Sequence, residues 1–230
     1  MGVYTNMKQS IVLLISLFFI SSLSILIIKN LEDTNFFLEE KNFKLNRAQI
    51  ITSLNNIQIE ISEILKNNKD YVDDIIPELN FEYIPIKIKN ILISFTVTKY
   101  DKVNINLLSS KNSMDYEEVT NLFSDYQISD FDTFRYVYKT IEDEYKNNNI
   151  KSKTFVKNNK QIDAIMDIFQ KQTYNNEILN IKDKLGFIKK NENEKLYELF
   201  VKVNYLNDFA KAYYILNEEG VVKYFESSFK

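Results

Sequence analysis

Cysteine and histidine are both missing from this 230-residue sequence. Without cysteine there is no disulfide, no thiolate ligand for zinc and no thiol nucleophile. Without histidine the usual general base near neutral pH is gone, and so is the commonest metal ligand. Glycine occurs three times, at Gly2, Gly186 and Gly220, which is too sparse for a glycine-rich phosphate loop. A basic surplus is lacking as well. The 29 basic and 32 acidic residues give a net charge of −3, so nothing supports neutralisation of nucleic-acid phosphates. With these absences a carboxylate enzyme remains conceivable, but a non-enzymatic protein with no cofactor is favoured. What is present is apolar: 45% of residues are hydrophobic, including 15 Tyr and 17 Phe. That is enough to build a packed core, so wholesale disorder is not expected.

The apolar residues are concentrated at one place first. Residues 11–28 read IVLLISLFFISSLSILII, with four serines and no charge. As a helix this run is roughly 27 Å long, close to the ~30 Å hydrocarbon thickness of a bilayer. It exceeds the 7–15 residues usual for the apolar part of a signal peptide, and SSLS, the one small-residue site, lies inside it. The run is therefore expected to be a retained transmembrane helix after a leader or N-tail, residues 1–10. Lys8 precedes it, whereas Lys29, Lys41, Lys44 and Arg47 follow, so charge alone does not place the N-terminus in the cytoplasm.

Glycine and proline are absent between Gly2 and Pro77, so nothing evident stops this helix at a membrane surface. Phe36, Phe43, Ile50, Ile57 and Ile64 recur every seven residues, and Leu54 and Ile61 fill the alternate positions. The spacing predicts an amphipathic continuation over 29–70, ended near residue 67 by the polar run Lys66–Asp70. Its apolar stripe has two readings: core covered by the chain's own sheet, or a coiled-coil seam. Glu40 and Arg47 stand where a seam wants apolar residues, which favours the sheet.

Residues 71–230 read as a soluble α+β domain. Phe81–Ile88, interrupted by Pro85, suits an edge or irregular extended segment. Ile91–Thr98 and Val103–Leu107 read as strands. A helical insertion spans about 114–182, with helices expected at Tyr116–Phe123, Phe131–Tyr145 and Gln161–Gln172. The C-terminus returns to an antiparallel meander, Leu196–Tyr205, Ala210–Leu216 and Val221–Phe229, with Gly220 able to supply a positive φ at its last turn. This meander is the natural cover for the helix stripe. Two acidic groups, Asp73 with Asp74 and Asp125 with Asp130 and Asp132, lack the glycine turn and ligand order of a calcium loop, and read as solvated helix starts.

A charged residue, a small residue, a continuous apolar helix and a sheet over its distal half together resemble a type IV pilin-like protein. Lys8-Gln9-Ser10 before Ile11 resembles the processing site of that family, and Ser10 and Ile11 would flank the cut made by a prepilin peptidase. Ser10 stands where the family has Gly, and Ile15 where most members carry Glu. Absence of that Glu, a large helical insertion, and Lys102-Val-Asn-Ile-Asn106 before it resemble the K-type minor pseudopilin of the type II secretion pathway. The resemblance implies a non-enzymatic inner-membrane subunit with its body in the periplasm, capping or assembling a secretion pseudopilus or related filament. The partners it implies are other minor pseudopilins or filament subunits, the prepilin peptidase and the membrane. Met7 would give a tidier leader than Met1. The alternative is a single-pass, membrane-anchored periplasmic sensor or adaptor domain, which would signal through a partner because no second long apolar run exists.

Overall fold

A computed structural model describes residues 2–82, 85–148, 155–191 and 194–229, with side chains from Ser16 onward except that of residue 148. The first element, α1 (Gly2–Asn67), is one unbroken helix of 66 residues, roughly 100 Å long. Several of its hydroxyls turn back on the preceding turn and leave the helix intact: Ser24 Oγ donates to Ile20 O at 2.8 Å and Thr34 Oγ1 to Asn30 O at 2.7 Å. The helix stops where the polar run begins. Asn68 donates to Ile64 O from both its backbone N–H (3.2 Å) and its side-chain amide (2.8 Å), capping the last turn.

A short helix α2 (Val72–Ile75) and a 3-10 turn carrying Pro77 lead into the sheet. Then follow β1 (Ile86–Ile88), β2 (Ile91–Lys99), β3 (Val103–Asn104), α3 (Glu117–Asp125), α4 (Phe131–Asn148), α5 (Asn159–Thr173), β4 (Leu185–Gly186), β5 (Leu196–Tyr205), β6 (Asp208–Asn217) and β7 (Val222–Phe229). The main sheet has the order β1-β2-β5-β6-β7 and is antiparallel throughout. The protein is thus an α+β fold in which a long N-terminal helix packs on an antiparallel sheet. Because β2 pairs directly with β5, residues 100–195 leave the sheet and return to it. Within that excursion β3 and β4 form a separate parallel pair two residues long.

The sheet separates two cores. On one face the distal part of α1 supplies Ile50, Leu54, Ile61 and Leu65, which pack with Ile93, Phe95, Val97, Leu199, Val201, Val203 and Leu216. Ala210 and Ala212 keep this face low where the helix crosses β6. On the other face the insertion packs on Leu196, Tyr213 and Ile215. Its centre is a triangle of rings, Phe123, Phe134 and Phe169, with centroids 4.9–6.5 Å apart. Among the described residues the insertion reaches one half of that second face and leaves the other half, with Lys202 and Lys211, exposed.

One strand expected from the sequence is corrected. Val103–Leu107 alternates apolar and polar residues, yet pairing ends at Asn104 and Ile105–Ser109 is a 3-10 helix. Asn104 Oδ1 accepts the N–H of Asn106 at 3.0 Å and so starts the turn. Ile105 and Leu108, three residues apart, then fall on one buried face, both 0% exposed.

Candidate functional site

The most distinctive surface is the part of α1 that no other element covers among the described residues. Leu17, Phe18, Phe19, Ile20 and Leu23 are 57–67% exposed, and the large apolar residues Ile25–Ile28 are 56–67% exposed. Exposure continues through Leu31, Phe36, Phe37 and Leu38 to Leu45. The helix first meets the sheet at its next turn. Asn46 Nδ2 donates to Asp208 Oδ2 at 2.9 Å, and the Arg47 guanidinium lies 4.4 Å over the ring of Phe229. Phe43, Arg47, Ile50, Asp208, Phe209 and Phe229 line a notch of about 200 Å3 at this exit. Arg47, out of place in a coiled-coil seam, thus fastens the helix to the sheet.

The stripe residues divide at this point. Phe36 and Phe43 are 69% and 52% exposed, ahead of the sheet; Ile50, Leu54 and Ile61 are 1–2% exposed beneath it. Ile57 and Ile64 are half-buried, and Leu65 takes the last fully buried position. A straight helix drifts about 20° per heptad, which moves the buried position from Ile64 to its neighbour. The Ser10–Ile11 junction and Ile11–Ile15 lie outside the described side chains. Among the described residues no helix is long and apolar enough to cross a membrane.

A buried polar hub joins the insertion to the sheet. Glu198, on β5, points away from α1 and accepts a hydrogen bond from Tyr213 Oη and an ion pair from Lys102 Nζ at 2.7 Å. Burial and the neighbouring Glu198 carboxylate, to which it donates, push the Tyr213 phenol well above its usual range. Beside it, Tyr100 Oη accepts the backbone N–H groups of Phe187 (3.2 Å) and Ile188 (3.3 Å), and burial pushes its pKa up to about 12. Its ring lies so close to Gly186 that a Cβ there would sit 2.0 Å from the phenol oxygen.

A second buried carboxylate holds the insertion together. Glu142, 1% exposed, receives Ser109 Oγ at 2.6 Å and Lys146 Nζ at 2.8 Å, with Lys139 Nζ 3.5 Å from its other oxygen. Burial pushes its pKa up, but the hydrogen bonds and the two lysine charges outweigh it and hold the carboxyl below its ordinary value. Asn106 pins three segments at once. Its Oδ1 accepts Val156 N–H at 2.9 Å, and its Nδ2 donates to Val156 O (2.9 Å) and Phe187 O (3.2 Å). Both carboxylates are thus occupied by structural partners. Among the described residues no group of three or more acidic side chains is placed to hold a metal ion.

No family model, curated protein or solved structure matches the chain.

Sequence reading passed over Lys102, Glu198 and Glu142 as sites. Glu142-Asp143-Glu144 has the pattern of one exposed helix face, yet the structure buries Glu142. One signal did point to Glu198. In Leu196-Tyr-Glu-Leu199 apolar residues occupy both parities of a strand, which marks a sheet covered on both faces, and a lone Glu there must be paired. The acidic groups singled out earlier stay at the surface: Asp73 pairs with Lys195 at 3.3 Å, and Asp130 accepts Ser129 Oγ at 3.1 Å.

Proposed function

We propose that this chain is a pilin-like minor subunit, held in the bacterial inner membrane by residues 11–28 with its body in the periplasm. There it caps or helps assemble a type II secretion pseudopilus or related filament. The observation that carries this reading is the two-part use of one helix. Its distal half is core of the body, whereas Leu17–Leu45 present large apolar side chains with no cover from the rest of the described chain. Apolar area costs about 25 cal/mol per Å2 to leave in water, so this segment requires an outside cover. A bilayer supplies one for the precursor, and the packed helices of neighbouring subunits supply another after assembly. Because the helix is continuous into the body, extraction from the membrane would move both together. Ile15 in place of an acidic residue fits a subunit with no neighbour above it, since an unpaired carboxylate in apolar surroundings is costly.

The test is processing. The chain is expressed with and without a prepilin peptidase and its intact mass is measured. Loss of residues up to Ser10, dependent on the peptidase, is the expected result. A full-length chain under both conditions overturns peptidase processing, and cleavage near Ser24 would make the run a signal peptide.

A further inference from the structure

The half of the sheet that the insertion leaves open carries a juxtaposition that the fold does not need. Lys202 on β5 and Lys211 on β6 are direct cross-strand partners on the face away from α1. Like charges opposite one another destabilise a sheet. Neither lysine forms an ion pair among the described residues, and both are exposed. The same row continues outward to Ser94 on β2 and Ser228 on β7, so two ammonium groups are flanked by two hydroxyls. In the next row Thr96 pairs with Phe200, whose ring stacks on Tyr213 at 4.6 Å and remains 43% exposed. Ser94, Thr96, Phe200, Lys202 and Lys211 line a cleft of about 610 Å3, with Glu82 the acidic side chain on its wall.

The geometry points to a binding site for an acidic segment of a partner polypeptide, extended across the strands, with carboxylates on Lys202 and Lys211 and an apolar side chain against Phe200. The two lysines meet no carboxylate among the described residues, although Lys202 Nζ lies 5.7 Å over the ring of Phe209, and they state the charge of the partner. The aromatic floor beside them states that the ligand carries an apolar group as well as anionic ones. Among the described residues nothing roofs the cleft, which crosses β2, β5 and β6; this suits an extended chain, whereas a small anion there would keep most of its water. This site stands on the sheet alone and does not depend on the fate of the N-terminal helix.

The test uses the full chain in an uncharged detergent, with a fluorescein-labelled pentapeptide of four glutamates around one phenylalanine. Fluorescence anisotropy is expected to show salt-sensitive binding. The Lys202→Gln/Lys211→Gln variant is expected to weaken binding by roughly tenfold or more, and Phe200→Ala is expected to weaken it too. Thermal unfolding of the double variant should match or exceed that of the parent, since a like-charge pair has been removed; this separates loss of binding from loss of folding. Equal binding of the matching glutamine peptide overturns the proposal. So does glutamate-peptide binding unchanged in the double variant. Lysine-dependent binding of inorganic phosphate without binding of the peptide overturns it in favour of a small-anion site.

Discussion

Glu142 is the side chain through which acid should act on the insertion. Its folded pKa lies below the ordinary value of 4.5. A carboxylate depressed by folding contributes stability that is fully present above its unfolded pKa and is lost as pH falls through the folded one. We therefore expect wild type to exceed Glu142→Gln in stability at neutral pH, with the gap closing as pH drops below about 4.5. Urea unfolding followed by tyrosine near-UV circular dichroism across that range measures this; parallel curves for the two proteins would contradict it. Residue-scale features such as this were the least legible in the sequence. Glu142-Asp-Glu144 looks like one charged helix face, and nothing in the spacing marks which member turns inward toward Ser109 and the lysines. Gly220 was legible in part. Its positive φ of 74° suits the turn before β7, but the contact that forbids a side chain there, 2.4 Å from a Cβ to Ser62 O, comes from α1 and is invisible locally.

At the scale of elements, α1 is two objects on one backbone, and mutations should reveal the boundary. Ile61→Ala removes a side chain that is 2% exposed beneath the sheet, and is expected to cost about 2–5 kcal/mol. Leu26→Ala removes one that is 58% exposed and touches no core, and should change the unfolding free energy of the body by less than about 0.5 kcal/mol. Chemical unfolding in detergent compares the two; similar losses would mean the exposed half is part of the fold. The extent of this helix was readable because no residue before Pro77 after Gly2 breaks it; its stripe marked the covered half from Ile50 on, but it also ran through Phe36 and Phe43, which stay exposed ahead of the sheet. The meander was readable from alternation and the Gly220 turn. Val103–Leu107 misled because alternation over five residues also satisfies a 3-10 turn once an asparagine caps it. The open half of the sheet was not readable, since Lys202 and Lys211 look like ordinary solvent-facing residues until register sets them opposite each other.

For the whole molecule, the two cores and the exposed helix predict how the chain can be divided. Both cores use the same five-stranded sheet, so neither can be removed without exposing the other's floor. The exposed helix is different. Its large apolar residues from Leu17 to Leu45 are at least 48% exposed, and its first contacts with the sheet are made by Asn46, Arg47 and the notch residue Phe43. A chain beginning at residue 43 would keep those contacts and every buried member of both cores. It is expected to retain the near-UV tyrosine signal, to lose less than about 1 kcal/mol of stability, and to sediment as a monomer without detergent. The full chain, carrying the apolar run, is expected to require detergent or to sediment as large assemblies under the same conditions. Loss of the near-UV signal on shortening would show that the exposed half supports the body after all. A full chain that stays monomeric without detergent would remove the need for any outside cover, and with it the main physical ground for a membrane or filament role.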